Sequence, residues 1–150
     1  MEAVFALLVA LDPIGIARLW PKRLELTAIV AAVLIASTLL ADPVLDALDL
    51  SPEGFWISAG IVLLIPAFSR LGRGDTRDVA GPGAVLVTMA LATRDGTGTT
   101  LVAVGIALVA TLLALTFVGE GKWVNIAERF IGAGMVVVAF DLIRDGVIAV

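Results

Sequence analysis

Two short stretches, LDPIG at residues 11–15 and AGPGA at residues 80–84, each place a proline beside a glycine within an otherwise apolar segment. Proline has no N–H to donate to the carbonyl four residues earlier, and glycine lets the backbone turn, so each stretch interrupts a helix. In a bilayer, backbone freed in this way is tolerated only where it packs within protein or lines a wet cavity. The stretches therefore predict a pair of broken helices that face each other at an internal site, although a kink that only shapes helix packing is the alternative.

The composition predicts that most of the chain faces lipid. Of its 150 residues, 60% are hydrophobic and 16% are charged, and the mean hydropathy is +1.08. A water-soluble domain of this size could not bury so much apolar surface in one core. Six apolar stretches are long enough to cross a bilayer, and in lipid each must be a helix. We place them at residues 4–20, 26–41, 54–71, 79–93, 100–118 and 127–147.

The two breaks open two similar halves of the sequence, residues 1–72 and 78–150. Six residues recur 74 positions later in the chain, namely Ile57, Ala59, Gly60, Val62, Arg70 and Gly72. An odd number of spans in each half inverts the second copy relative to the first. The predicted fold is therefore an all-α membrane protein, a single transmembrane domain of two inverted three-helix repeats, with helices 1 and 4 broken at Pro-Gly.

Basic residues predict the orientation of this domain. Eight of the ten Lys and Arg residues fall at the ends of spans one, three and five or in the loops that follow them, whereas Arg94 and Arg144 fall on the opposite side. Loops rich in Lys and Arg remain in the cytoplasm. The expected location is the bacterial cytoplasmic (inner) membrane, multi-pass, with both termini extracytoplasmic.

The candidate site residues lie at the two breaks. Backbone groups there are expected to bind a substrate, and the residues concerned are Asp12, Pro13, Gly15, Gly81, Pro82 and Gly83. A carboxylate within a membrane span costs roughly 2.5 to 3.5 kcal/mol on insertion scales, so Asp12 requires an explanation. It could cap the half-helix that starts at Pro13, or it could be the site of an ion or proton coupled to transport.

Several function classes are excluded by residue content. The chain contains neither cysteine nor histidine, so the usual zinc, copper and haem ligand sets and imidazole-based catalysis are unavailable. No paired-aspartate or other catalytic constellation lies in the spans, and no basic patch suggests nucleic acid. We therefore expect no enzyme activity, no cofactor and no metal; the expected partners are the lipid bilayer and a small solute.

Two predictions concern contacts at helix surfaces. Asp141 lies one turn before Arg144, so the two side chains are expected to form a pair near the outer surface. Small residues at 58–60 and 132–134 make spans three and six narrow. Narrow helix faces predict close helix contact in a membrane, within one chain or between chains.

The motifs at the breaks, together with the Ala59-Gly60 pair and the segment Arg129-Phe130-Ile131-Gly132, resemble the MarC family of integral membrane proteins. The similarity covers essentially the whole chain, and its specific part is the Asp-Pro-x-Gly and Ala-Gly-Pro-Gly-Ala elements. The resemblance implies six spans and transport of small neutral amino acids such as glycine and alanine.

This chain also departs from the family pattern. It is shorter than typical members, and Ile16 stands where the family commonly has Asn. The leading hypothesis is a transporter of a small neutral solute that works by alternating access. The alternative is a transport-inactive structural or accessory subunit of a larger membrane complex. A homo-oligomer and a complex with partner membrane subunits are both open, and association with other subunits would favour this alternative.

Overall fold

The computed structural model describes residues 2–11, 23–73, 82–117 and 122–150, which form six α-helices. In chain order these are α1 Glu2–Leu11, α2 Arg23–Ala47, α3 Pro52–Arg73, α4 Pro82–Asp95, α5 Thr97–Phe117 and α6 Lys122–Ala149. The described residues include no strand. The predicted all-α class is confirmed.

Helices α2, α3 and α6 contain their predicted spans and continue beyond them by several residues. Hydropathy marks only the apolar stretch, whereas the helical hydrogen bonds run on into polar turns. In the described residues two helical segments are long and apolar enough to cross a membrane, Thr27–Ala47 and Pro52–Ser69, with mean hydropathies of 2.2 and 1.4. Only 28% and 22% of their apolar windows are buried inside the protein. This combination suggests insertion in a membrane.

The opening helices of the two halves border the undescribed segments, residues 12–22 and 74–81. Helix α1 is described over 10 residues and α4 over 14, so at 1.5 Å per residue the described parts extend roughly 15 and 21 Å. Helix α1 ends one residue before Asp12, and α4 begins at Pro82, where the missing proline N–H has no helical partner to lose. The described residues of α1 thus come before the proline of the first break, whereas those of α4 begin at the proline of the second break.

The most extensive helix contact joins α3 to α6. The two helices run antiparallel, because Gly60 lies against Ala139 while Gly146 lies against Ile57. A Cβ atom on Gly60 would lie 2.6 Å from the carbonyl oxygen of Ala139, and one on Gly146 would lie 2.6 Å from Cγ1 of Ile57. Glycine therefore permits a backbone approach that no larger residue allows.

Gly60 and Gly134 have the role predicted for the small residues of spans three and six, whereas Ser58 and Ala133 are exposed. Gly60 faces α6, and a Cβ atom on Gly134 would lie 2.8 Å from Cγ2 of Val9 in α1. The prediction of close helix contact at these positions is confirmed, and both contacts form within one chain.

The remaining contacts form a nearly symmetric set. Helix α2 packs on α4 and α5, α1 packs on α4, α5 and α6, and α4 also packs on α3 and α5. If the two halves are equivalent, α1, α2 and α3 correspond to α4, α5 and α6. The α2/α4 contact then corresponds to α5/α1 and the α3/α4 contact to α6/α1, and both of these contacts occur. The α4/α5 pair has no counterpart of similar extent between α1 and α2 in the described part of the chain.

Every helix contributes a fully buried side chain to the core. The largest of these, in chain order, are Leu7, Leu34, Leu63, Val87, Leu91, Val104 and Leu142. Thr38, Thr88 and Thr111 are also buried, and each hydroxyl donates to the carbonyl of the fourth preceding residue at 2.7 to 2.8 Å. The core thus contains hydroxyl groups whose donors are satisfied locally.

The α3/α6 contact generates a stability prediction. Gly60→Ala is expected to lower the free energy of unfolding by about 1 to 3 kcal/mol, because the added methyl group overpacks the contact with the Ala139 backbone. Gly105 is the matched control, since a Cβ atom there would meet nothing within 4 Å. Gly105→Ala should be neutral or stabilising by up to about 1 kcal/mol through helix propensity. Denaturation of the detergent-solubilised protein followed by circular dichroism checks both, and equal effects would contradict the close contact.

Candidate functional site

The predicted break residues lie only partly within the described structure. Asp12, Pro13, Gly15 and Gly81 lie outside the described residues, while Pro82 is the first residue of α4. Gly83 is buried, and a Cβ atom there would lie 3.3 Å from Cδ1 of Leu63 and 3.9 Å from Cγ of Pro66, both in α3.

The start of α4 therefore lies beside a second interruption of helical hydrogen bonding. Pro66 lies within α3, where it cannot donate to the carbonyl of Val62. Leu63, one turn earlier, is completely buried. The described part of the second break thus lies in the core, against the middle of α3.

At the other end of α4, Arg94 lies at the centre of a charged group of side chains. Its Nε donates to Asp95 Oδ1 at 3.0 Å, and its Nη1 donates to Asp141 Oδ2 at 3.2 Å and Asp145 Oδ2 at 3.0 Å. Its side chain is only 14% exposed. Because Asp141 and Asp145 lie four residues apart on α6, they share one helix face and both reach the same guanidinium group.

Arg144 and Glu2 complete this group. Nη2 of Arg144 lies 2.8 Å from Asp141 Oδ1 and 2.8 Å from Asp145 Oδ1, so the predicted pairing of Asp141 with Arg144 is confirmed. Oε2 of Glu2, in α1, lies 3.7 Å from Nη2 of Arg94. We call these six side chains the Arg94 cluster: Glu2, Arg94, Asp95, Asp141, Arg144 and Asp145. It connects α1, α4 and α6 and carries four acidic against two basic groups.

Local structure holds Arg94 in this position. Helix α4 ends at Asp95, and the one-residue connection to α5 is Gly96, whose φ of 88° suits glycine. Trp56 of α3 donates from Nε1 to Thr93 Oγ1 at 2.9 Å. The last turn of α4 is therefore fixed to α3 on one side and turned sharply into α5 on the other.

The electrostatic balance at Arg94 favours its charged form. Burial opposes the charge, but the hydrogen bond and negative charge of Asp95, together with Asp141 and Asp145, outweigh burial and raise the pKa of the Arg94 guanidinium. Arg94 therefore remains a cation at every pH at which the protein would be studied. Within the described residues no group of three or more His, Cys, Asp or Glu side chains is placed to hold a metal ion.

The hydrogen bonds of the cluster leave two groups unused. Nε and Nη1 of Arg94 are occupied, whereas its Nη2 makes no hydrogen bond to any described residue, since Glu2 at 3.7 Å lies beyond hydrogen-bond distance. The Glu2 side chain is 87% exposed. An N–H donor pair and a carboxylate are therefore available next to each other.

A cavity of about 390 Å³ lies beside these two groups. We call it the α1/α4/α6 cavity, after the three helices that supply its lining. Three charged residues line it, Glu2, Arg94 and Asp141, and its remaining lining is apolar, from Phe5, Ala6, Leu91, Val137, Val138 and Leu142. The arrangement can bind a small molecule that has both a charged part and an apolar part.

Sequence reasoning placed Asp141 with Arg144 but missed Arg94 as the centre of the cluster. A signal was present, because Arg94 and Arg144 are the two basic residues on the side assigned to the exterior, where Glu2, Asp95 and Asp145 also fall. The residues are far apart in the chain, however, and only the packing of α4 against α1 brings them together.

The cluster predicts unequal roles for its two arginines. Arg94→Gln should lower the free energy of unfolding by about 1 to 3 kcal/mol, because Oδ2 of Asp141 and Oδ2 of Asp145 both lose their charged hydrogen-bond donor. Arg144→Gln is the matched control and should have little effect, since its side chain is 64% exposed and solvent screens its pairs. Thermal unfolding of both variants in the same detergent checks this, and an equal loss of stability would contradict a central role for Arg94.

Comparison with protein-family models, with curated proteins and with solved structures finds no match to this chain.

Proposed function

We propose that the chain is a membrane transporter that moves a small neutral solute by alternating access, built as two inverted three-helix repeats. The observation that carries the proposal is the nearly symmetric set of helix contacts around the antiparallel α3/α6 pair. Two halves related by an axis in the membrane plane can rock against each other about a site at their interface. Apart from the α4/α5 pair, the described contacts are those expected of two such repeats.

The exposed surface supports a multi-pass membrane protein. Large apolar side chains of α2, α3, α5 and α6 are more than half exposed, among them Ile29, Ile65, Phe68, Val102, Val109 and Phe130. In water, each exposed apolar Å² would cost about 25 cal/mol relative to burial, and monomeric soluble proteins rarely expose large contiguous apolar patches. A bilayer removes that cost, because its acyl chains are as apolar as these side chains.

The ionic residues support the proposed orientation in a bacterial inner membrane. The Arg94 cluster contains the start of α1, the end of α4 and the end of α6, and the distribution of Lys and Arg assigns all three helix ends to the extracytoplasmic side. The two breaks, at residues 11–15 and 80–84, would together form an internal site near the middle of the membrane. Freed backbone groups there would bind the carboxylate and amine of the solute.

The substrate class follows from the resemblance to the MarC family, which supports small neutral amino acids such as alanine or glycine. The residues that we assign to the internal site are Asp12, Pro13, Gly15, Gly81, Pro82 and Gly83. Burial of Gly83 against Leu63 and Pro66 supports a close backbone approach at this position. Asp12 is the candidate for coupling to an ion or proton.

A second candidate is a structural or accessory subunit of a larger membrane complex. The observation that favours it is an open apolar groove along α5, formed by Val102, Gly105, Ile106, Val109, Ala110 and Leu113. Glycine at its centre would let the backbone of another helix approach closely. Purification distinguishes the candidates, because a transporter is active alone or as a homo-oligomer, whereas an accessory subunit copurifies with different chains.

Single cysteines test the orientation, since the chain has none of its own. Leu50→Cys lies between α2 and α3 on the proposed outer side, and Ser69→Cys lies near the end of α3 on the proposed inner side; both native side chains are exposed. A membrane-impermeant maleimide should label residue 50 in intact cells and residue 69 only after cell lysis. The reverse pattern would overturn the proposed orientation, and labelling of both in intact cells would overturn a spanning α3.

Uptake of labelled alanine and glycine into proteoliposomes tests transport itself. We expect saturable uptake above empty vesicles that depends on a proton or sodium gradient. Asp12→Asn should abolish the dependence on the gradient and preserve folding, because a neutral amide keeps the size of the side chain but has neither the negative charge that attracts a cation nor a proton to exchange. Asp46→Asn is the matched control, since Asp46 is exposed near the end of α2. Unchanged gradient dependence in Asp12→Asn would exclude the coupling role, and no uptake by folded protein would favour the accessory subunit.

A further inference from the structure

We propose that the α1/α4/α6 cavity is an outer binding site for a small zwitterion, whose carboxylate pairs with Nη2 of Arg94 and whose ammonium pairs with Glu2. The site lies apart from the Pro-Gly breaks. Binding in this cavity stands on the geometry of the Arg94 cluster, and only its role as an entry site for transported solute rests on the proposed function.

The donor side of the site is an incomplete set of hydrogen bonds. A guanidinium group carries five N–H donors, and those of Arg94 on Nε and Nη1 face three aspartates. The two N–H groups on Nη2 make no hydrogen bond to any described residue, and Glu2 Oε2 lies 3.7 Å away. A ligand carboxylate at this position would complete the set without displacing Asp95, Asp141 or Asp145.

The acceptor side is Glu2. Its carboxylate lies 3.7 Å from Nη2 of Arg94, and its side chain is 87% exposed, so it can move outward at little cost. A zwitterion that enters between the two gives Arg94 a carboxylate and gives Glu2 an ammonium. Nη2 of Arg94 and the Glu2 carboxylate would then each have a partner of opposite charge closer than the 3.7 Å that separates them.

The net charge around the cavity explains why both ligand charges are required. Four carboxylates outnumber two guanidinium groups in the Arg94 cluster, so an anion without an ammonium group would be repelled. A cation without a carboxylate would pair with Glu2 and so remove the ion pair between Glu2 and Nη2 of Arg94, without supplying Nη2 with another carboxylate. A molecule with both charges satisfies both groups and leaves the net charge of the site unchanged.

The rest of the cavity determines the apolar part of the ligand. Phe5, Leu91, Val137 and Leu142 are among its apolar lining residues. Its volume of about 390 Å³ lies within the range of roughly 300 to 1,000 Å³ typical of small-molecule sites. An amino acid with an aliphatic side chain has the required charges and shape. The same pair of charges occurs in the ethanolamine headgroup of a phospholipid, so the test must separate these two sources.

Calorimetric titration of the detergent-solubilised protein with L-valine tests the site, with N-acetyl-L-valine and L-valinamide as matched probes that each lack one charge. We expect saturable binding of L-valine and affinities weaker by about tenfold or more for both blocked probes, the loss expected when a charge-assisted hydrogen bond is removed. Binding of valinamide as tight as that of L-valine would reduce the site to a cation site and overturn the proposal.

Two pairs of variants locate the binding. Glu2→Gln should weaken the binding of L-valine about tenfold. Asp46→Gln, at an exposed position on α2, should leave the affinity unchanged. Val137→Trp should fill the cavity from its exposed edge and abolish binding, while Val147→Trp, at a position on the same helix that is 61% exposed against 63% for Val137, should bind normally. Normal binding by Val137→Trp would place the ligand elsewhere.

Native mass spectrometry of the protein extracted from membranes separates the two sources. If delipidation removes the phospholipid and L-valine still binds, the cavity is a site for a free amino acid. If phosphatidylethanolamine stays bound in the presence of L-valine and is lost in Val137→Trp, the cavity binds lipid. That result would overturn the role of the cavity as an entry site. Proteoliposome uptake is measured separately. Binding of L-valine without uptake would overturn the transport proposal alone. Absence of L-valine binding, with uptake that Glu2→Gln and Val137→Trp leave unaltered, would overturn this binding site alone.

Discussion

The close packing of α3 against α6 is the contact on which the rest of the fold depends. Association of helices in lipid gains little from the hydrophobic effect, because the lipid tails are as apolar as the side chains, so van der Waals contact between close backbones must replace it. Gly60 and Gly146 provide that approach from opposite ends of the antiparallel pair. Helix α4 packs on α3 and helix α1 packs on α6, while α2 packs on α4 and α5 packs on α1 and α4.

Helix α4 determines where polar chemistry can occur. It begins at Pro82, its second residue Gly83 is buried against α3, and it carries Arg94 at its far end. That end is held by a one-residue turn at Gly96 and by the hydrogen bond from Trp56 to Thr93. One short helix thus connects the predicted internal site to the Arg94 cluster over roughly 20 Å of its length.

The Arg94 cluster is an ionic contact at a helix boundary rather than a buried pair in the core. Its carboxylates are about a quarter or more exposed, and the cavity beside it opens to the surface. A guanidinium group surrounded by more carboxylates than it can bind at close range is firmly charged but only partly hydrogen-bonded. That imbalance keeps the cluster together and also leaves donors available to a ligand. Sites at such boundaries can change partners without breaking the core.

The sequence by itself determined the helical class, the approximate positions of the helices, the small-residue faces and the Asp141–Arg144 pair. These depend on local composition: apolar length requires a helix in lipid, proline stops helical hydrogen bonding, and residues three apart on a helix meet. Only the tertiary structure decided that Gly134 faces α1, that Gly60 faces α6 and that Arg94 joins Glu2 to Asp145. Those contacts depend on which helix faces meet across long separations in the chain, and apolar faces in a membrane protein are too similar in sequence to specify their partners. The charged side chains were visible in the sequence, but the cavity between α1, α4 and α6 exists only because the three helices end at the same side.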